Sequence, residues 1–162
     1  MQSLPPKRPS PDRYLALGRT SVLVLDDNAN ALTLIAEVLR GLGCGKVYRV
    51  MNAEAAMAQL NSGSVDLVFA DIEMPDGNGL EFVRQVRASS NPAVAGVVIV
   101  MVSAQATESR VMEAGVSGAD SFLGKPYSVS GLARCLGEGI AGRRWAEQAD
   151  PPRRREPKVL EA

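Results

Sequence analysis

Short apolar runs alternate along this chain with stretches in which apolar residues recur at helical spacing. The runs are too short for helices and are bounded by turn residues, which is typical of strands buried on both faces of a parallel sheet. They predict five strands, at residues 22–25, 47–50, 67–70, 97–102 and 118–123. The other stretches predict five helices, at residues 29–42, 53–60, 80–86, 106–117 and 129–140, with Asn28 and Ser128 as N-caps of the first and the last. The inner face of the last helix is expected to carry Val129, Leu132, Ala133, Leu136 and Ile140. Because strands and helices alternate, we expect an α/β fold in which helices cover both faces of one parallel sheet.

The length of the chain, 162 residues, predicts one domain with short extensions. Residues 1–18 are rich in proline and predict a flexible N-terminal arm. The domain is expected at residues 19–142. The remaining residues, 143–162, are polar and interrupted by prolines, and they predict a disordered C-terminal tail.

The balance of positive and negative residues bears on which classes of partner the protein could bind. Lys plus Arg and Asp plus Glu both number 18, so no excess charge favours nucleic acid or an anionic membrane. No segment reaches the roughly 18–20 consecutive apolar residues of a membrane span, and the N-terminus lacks the apolar core of a signal peptide. Cys44 and Cys135 show no CxxC spacing, which favours reduced thiols. We therefore expect a soluble, cytoplasmic protein that binds neither nucleic acid nor membranes.

The chain contains no histidine. This excludes Ser/His/Asp hydrolysis, histidine-ligated zinc and a role as a phosphohistidine carrier. The remaining candidates for chemistry are carboxylates, hydroxyls and lysines.

Polar residues of this kind stand where the predicted strands end. Asp26 and Asp27 follow the first strand, Asp71 the third, Ser103 the fourth and Lys125 the fifth. In a parallel sheet these strand ends meet at one edge, which is where open α/β folds place their ligand sites. Converging carboxylates repel one another unless a hard cation lies among them, and oxygen ligands favour Mg²⁺. A lysine and a hydroxyl beside the metal suit a transferred phosphoryl group, whose charge is spread over three oxygens.

At these residues the chain resembles the receiver domains of two-component response regulators. The matching motifs are Asp26-Asp27, the segment from Ala70 to Gly79 around Asp71, Ser103-Ala104, and Lys125-Pro126 after Phe122-Leu123. The resemblance covers about residues 20–140. It implies a flavodoxin-like (βα)5 doubly wound parallel sheet with strand order 2-1-3-4-5.

The resemblance also implies roles for single residues. Asp71 would be the phosphoacceptor. Mg²⁺ would be held by Asp27, Asp71 and the backbone carbonyl of Glu73, with Asp26 acting mostly through water. Lys125 would pair with the phosphoryl oxygens.

The resemblance also implies roles for three residues near the phosphorylation site, two in the conformational switch and one in the loop after the fifth strand. Ser103 would bond to the phosphoryl group once it is in place, and Phe122 stands at the position of the family's switch aromatic residue. Ser103 replaces the commoner Thr but keeps the hydroxyl donor. Phe122 lacks the hydroxyl of a Tyr, which removes any switch that depends on a tyrosine hydrogen bond. Pro126 is assigned a structural role.

The function that follows is a stand-alone response regulator receiver. It would accept a phosphoryl group from a sensor histidine kinase or a histidine phosphotransfer protein. It would then signal to a downstream protein through the face of the fourth helix, fifth strand and fifth helix, or pass the group on. It would not be an enzyme beyond self-catalysed phosphoryl transfer and slow autodephosphorylation, and a homodimer is left open.

Two alternatives remain at this stage. One is a receiver-like interaction module that is not phosphorylated. The other is a flavin-binding electron carrier on the same fold, although the carboxylates of Asp26 and Asp27 would repel a flavin phosphate.

The first predicted helix has more apolar residues than one buried stripe can hold. If Ile35, Val38, Leu39 and Leu42 point inward, Ala31, Leu32 and part of Leu34 lie exposed near Asp27. We expect this surface to dock a kinase or phosphotransfer partner. The alternative is that these residues pack under the N-terminal arm through Leu15 and Leu17.

Overall fold

The structure is a computed structural model that describes residues 17–75, 77–148 and 158–160. Its strands are β1 (Ser21–Leu25), β2 (Lys46–Val50), β3 (Leu67–Asp71), β4 (Glu73–Met74), β5 (Gly77–Asn78), β6 (Val98–Ser103), β7 (Ser121–Gly124) and β8 (Lys158–Leu160). Its helices are α1 (Ala29–Gly41), α2 (Ala53–Ser62), α3 (Gly79–Arg87), α4 (Pro92–Ala95), α5 (Glu108–Ser117) and α6 (Val129–Gln148). In these parts of the chain no helix is both long and apolar enough to cross a membrane.

The strands form a parallel sheet in the order β2-β1-β3-β6-β7-β8. The predicted fourth and fifth strands are β6 and β7, so the predicted order 2-1-3-4-5 is confirmed. Besides the short helix α4, two elements were not predicted from the sequence. One is the antiparallel hairpin β4-β5, in which Glu73 pairs with Asn78 and Met74 with Gly77. The other is β8, which extends the sheet beyond β7.

The core lies on both faces of the sheet. Every residue of the central strand β3 is buried, and its side chains alternate between the two faces, as strand geometry requires. Val68 and Ala70 belong to the cluster that contains the buried residues of α2, α3 and α5. Leu67 and Phe69 belong to the cluster that contains most of the buried residues of α1 and the buried apolar residues of α6. The unbroken apolar run of β3 therefore reflects burial on two sides.

Side-chain caps fix where the helices begin. Asn28 and Ser128 were predicted to cap helices, and both accept hydrogen bonds from backbone N–H groups of the first turn. The structure adds caps at Asn52, Asn78, Asn91 and Thr107. Each such cap satisfies an N–H that has no partner inside the helix and contributes about 1 kcal/mol.

The prediction for the first helix was wrong at Leu32. Leu32 is only 4% exposed and belongs to the core, whereas Leu34 is 63% exposed. The buried residues of α1 are Leu32, Ile35, Ala36 and Leu39, a complete i, i+3, i+4, i+7 stripe. Leu17 packs against the same cluster, as the alternative interpretation expected, and Leu15 lies outside the described residues. Leu32 therefore cannot be part of a docking surface.

The last helix also differs from its prediction. Val129 and Ala133 were expected on the inner face and are exposed, whereas Leu132, Cys135 and Leu136 are buried. The helix continues to Gln148 and β8 follows at Lys158–Leu160, both within the segment expected to be a disordered tail. A strand of three residues is too short to show a periodic pattern in the sequence. The remaining residues of the tail, and residues 1–16 of the predicted arm, lie outside the described residues.

One arginine ties several segments together at the amino ends of β6 and β7. Arg87, at the end of α3, donates to the carbonyl oxygens of Ala95 (2.8 Å), Val97 (2.6 Å) and Gly118 (2.9 Å). It also pairs with Asp120 at 2.9 Å. Burial lowers the pKa of Arg87, and Asp120 opposes this effect. The guanidinium thus satisfies loop carbonyls that helices and strands leave without partners.

Candidate functional site

The carboxyl ends of four strands bring the predicted site residues to one edge. Asp26 follows β1, Asp71 is the last residue of β3, Ser103 is the last residue of β6, and Lys125 follows β7. Registers across β1, β3, β6 and β7 are continuous, so these ends lie side by side. The sheet itself therefore assembles residues that are far apart in sequence.

Three aspartates form a compact acidic cluster. Asp26, Asp27 and Asp71 each offer a carboxylate oxygen, and these oxygens lie within 4.8 Å of one another. Asp26 and Asp71 are buried, 8% and 6% exposed, and Asp27 is more exposed. An all-oxygen set with this charge suits a hard divalent cation such as Mg²⁺. The residues present therefore fit the predicted metal.

Lys125 lies between the two buried aspartates. Its Nζ is 3.0 Å from Oδ2 of Asp71 and 3.4 Å from Oδ2 of Asp26. Burial raises the pKa of Asp71 to about 6, the ion pair with Lys125 lowers it in part, and the charge of Asp26 raises it further. For Lys125, burial lowers the pKa, but the two carboxylates outweigh this effect and raise it overall. Lys125 is thus held as a cation beside Asp71.

Backbone contacts orient the carboxylates and the lysine. The Asn28 N–H donates to Oδ1 of Asp26 at 2.9 Å, where α1 begins. The Glu73 N–H donates to Oδ1 of Asp71 at 3.1 Å, so the main chain of Glu73 adjoins the acidic cluster. The Lys125 N–H donates to the Ser103 carbonyl at 2.8 Å. The first two bonds lie within the loops after β1 and β3, and the third joins the loop after β7 to the end of β6.

The loop after Asp71 needs a glycine where α3 begins. The Gly79 N–H donates to the Ile72 carbonyl at 3.0 Å, which closes the β4-β5 hairpin against β3. A Cβ at Gly79 would collide with the backbone carbonyl of Asp71. This close approach is the physical reason for glycine at that position.

The Ser103 hydroxyl is engaged with a residue whose side chain had no predicted role. Ser103 is fully buried, and its Oγ donates to Oε1 of Glu73 and accepts from the Gln105 N–H at 3.0 Å. The sequence pointed to Glu73 only through its backbone carbonyl. Its side chain instead joins the hairpin after β3 to the end of β6.

Three other positions complete the neighbourhood. Phe122, at the predicted switch position, is fully buried and pairs in register with Met101 of β6. The Lys125–Pro126 peptide bond is cis. Tyr127 was not singled out from the sequence; it is half-buried, and burial raises its pKa. In the sequence, only its position two residues after Lys125 indicates that Tyr127 lies near the site.

Comparisons with known proteins follow this geometry. The KDP operon transcriptional regulatory protein KdpE of Escherichia coli is 29% identical over 113 residues, which are 70% of this chain and 48% of KdpE. The chemotaxis protein CheY of Pseudomonas aeruginosa is 28% identical over 111 residues, which are 68% of this chain and 88% of that protein. The matched part of this chain therefore spans about half the length of KdpE and most of the length of CheY.

Solved structures show the same fold. The chemotaxis response regulator CheY4 of Vibrio cholerae is 25% identical, with a TM-score of 0.68 over 74% of this chain and 98% of that chain. A CheY-like receiver domain protein from Methanospirillum hungatei is 21% identical, with a TM-score of 0.70 over 78% of this chain and 97% of that chain. The family model of the response regulator receiver domain matches residues 22–136, which include every strand-end residue of the site. This chain therefore belongs to the response regulator receiver domain family, and it is similar to its chemotaxis regulators.

Proposed function

We propose that this chain is a phosphorylation-controlled switch whose phosphoacceptor is Asp71. The observation that carries the proposal is the position of Asp71, which is buried at the end of the central strand and lies beside two aspartates and a lysine. Together these groups offer a nucleophile, ligands for a cation and a fixed positive charge. A phosphoryl group needs the last two because its charge is spread over three oxygens.

The donor would be a phosphohistidine of a sensor histidine kinase or a histidine phosphotransfer protein. An oxygen of Asp71 forms a bond to phosphorus while the bond from phosphorus to the donor's imidazole nitrogen breaks. The imidazole leaves and takes up a proton, and the product on this chain is an acyl phosphate. The donor protein supplies the histidine and this chain supplies the aspartate, so the reaction needs no histidine in this chain.

The acidic cluster and Lys125 have separate tasks. Asp27, Asp71 and the Glu73 carbonyl would hold Mg²⁺, with Asp26 acting through water, and the cation would neutralise charge on the phosphoryl oxygens. Lys125 already lies 3.0 Å from Asp71, so its ammonium group is in place to pair with an oxygen of the acyl phosphate. The phosphoryl group adds roughly 1.5–2 negative charges, which these groups offset.

The conformational output would run from Ser103 to the face made by α5, β7 and α6. Ser103 would leave Glu73 and bond to the phosphoryl group, and Phe122 would shift into the space that is vacated. Exposed apolar side chains support this face as a protein-binding surface. Met112 and Val116, one turn apart on α5, are 69% and 87% exposed, and Val129 at the start of α6 is 56% exposed.

Acetyl phosphate with Mg²⁺ tests the acceptor directly. Intact mass should show one added phosphoryl group on the wild type and none on Asp71→Asn. Asp66→Asn is the matched control, because Asp66 precedes the same strand and its carboxylate accepts from the Ser21 N–H at the opposite end. Undiminished labelling of Asp71→Asn would refute the assignment. Absence of labelling in the wild type with acetyl phosphate and with phosphohistidine donors would favour an interaction module that is not phosphorylated.

A further inference from the structure

The sheet of this protein has a sixth strand from the C-terminal segment. β8 pairs in parallel with β7, in a register that sets Lys158 opposite Ser121, Val159 opposite Phe122 and Leu160 opposite Leu123. It follows α6, so β7, α6 and β8 form one more β-α-β unit. Without β8, β7 would be the edge of the parallel sheet.

An open edge at β7 would expose backbone N–H and C=O groups that can pair with any extended segment. β8 covers that edge with only three residues. So short a strand forms few hydrogen bonds, and their free energy only partly offsets the conformational entropy that is lost when the strand is ordered. Strands of this kind belong to the least stable parts of a structure, those that open locally while the rest stays folded.

We propose that the β7 edge is a docking site for an extended apolar segment of a partner protein, and that Lys158–Leu160 occupies it in the free protein. The resident strand indicates the chemistry of the partner segment: parallel pairing, two adjacent apolar residues and no proline within the paired stretch. Strand addition of this kind takes its affinity from backbone hydrogen bonds.

The tether lets this weakly paired segment compete with a partner segment. Residues 149–157 join α6 to β8, and short linkers hold a tethered segment at an effective concentration on the order of a millimolar. A partner must therefore displace β8 before it can bind. β7 also leads within one residue into Lys125, so occupancy of this edge acts next to the ion pair with Asp71.

Because β7 belongs to the output face proposed above, the proposal rests in part on that function, and strand pairing is tested here without phosphorylation. One variant ends at Pro157 and lacks the strand; the control variant ends at Leu160 and keeps it. Amide exchange and chemical shifts of Ser121–Gly124 are measured by NMR in both. The probe is a synthetic peptide with the sequence of residues 155–162, Arg-Glu-Pro-Lys-Val-Leu-Glu-Ala, added at several concentrations up to about ten times the effective concentration of the tethered segment.

We expect truncation at Pro157 to raise amide exchange in β7 about tenfold, with no change in the control. The peptide should restore protection in the Pro157 variant and bind the control about tenfold more weakly, because the tethered strand competes. A peptide carrying Val159→Pro should not bind, since proline removes an N–H and disrupts the strand. Unchanged exchange after truncation, or equal binding of the peptide to both variants, would overturn the proposal. So would a concentration-dependent dimer of the intact chain, in which a second copy supplies the strand.

Discussion

At the scale of single residues, the contact between Ser103 and Glu73 is the least expected feature of the site. The Ser103 hydroxyl has one proton to donate, and it donates it to the Glu73 carboxylate. In the proposed active state the same proton would go to the phosphoryl group. Glu73 therefore competes with the phosphoryl group for the Ser103 hydroxyl. The negative charge of the Glu73 carboxylate would also repel the phosphoryl group.

Glu73→Ala should favour the active state. Loss of the carboxylate frees the Ser103 hydroxyl and removes a nearby negative charge, so we expect beryllofluoride with Mg²⁺ to bind roughly tenfold more tightly, about the effect of one charge-assisted hydrogen bond. NMR titration of the Ser103 and Lys125 amides measures the affinity. Glu81→Ala is the control, since Glu81 lies on α3 and pairs with the exposed Arg84. Weaker beryllofluoride binding by Glu73→Ala would show that the Glu73 side chain supports the active state instead.

At the scale of elements, α1 has so many apolar residues that its sequence is compatible with two different buried faces. The stripe that begins at Leu32 and the stripe that begins at Ile35 both satisfy helical spacing. The first is buried because α1 ends at Gly41, so Leu42 lies beyond the last turn and is only partly buried. Leu34, on the outer face, remains as the exposed apolar residue of this helix.

Substitutions at Leu32 and Leu34 should therefore have clearly different effects on the free energy of unfolding. Leu32→Ala should lower the free energy of unfolding by about 2–5 kcal/mol, because it leaves a cavity in the cluster beneath β1. Leu34→Ala should change it by no more than about 0.5 kcal/mol. Urea unfolding followed by circular dichroism measures both. Similar values for the two variants would contradict the phase of α1 described above.

At the scale of the whole molecule, the acidic cluster links ion binding to stability. A cation that binds the folded chain and not the unfolded chain stabilises the fold by mass action, by about 2.7 kcal/mol at a concentration one hundred times its dissociation constant. The sheet must be folded for Asp26, Asp27 and Asp71 to meet. Mg²⁺ should therefore raise the melting temperature of the wild type.

The same experiment tests the ligands. Asp27→Asn should abolish most of the Mg²⁺-dependent rise in melting temperature, because it removes a charged ligand from the cluster. Glu37→Gln, on the exposed face of α1, should keep the full rise. Differential scanning fluorimetry with Mg²⁺, and with Na⁺ at equal ionic strength, distinguishes specific binding from screening. A full rise in Asp27→Asn would remove Asp27 from the metal site.

The sequence alone determined which segments form the five main strands and where the site residues stand, whereas the strand order 2-1-3-4-5 came with the resemblance. The segments could be recognised because strands buried on both faces are continuous apolar runs, and their ends are marked by residues such as Asp26, Asp71 and Ser103. Parallel strands then bring those ends to one edge without further information. The roles of single residues came with the resemblance, which rests on four separate motifs, and not from spacing.

Only the tertiary structure decided which partner each side chain has. Ser103 and Glu73 are thirty residues apart in sequence, and they meet because an unpredicted hairpin follows β3. Arg87 finds its carbonyl partners in loops that come together only when α3, α4 and β7 are packed. β8 is a strand only through its pairing with β7, which local sequence does not reveal. Local periodicity cannot carry this information, since such contacts depend on the relative placement of elements that are distant in the chain.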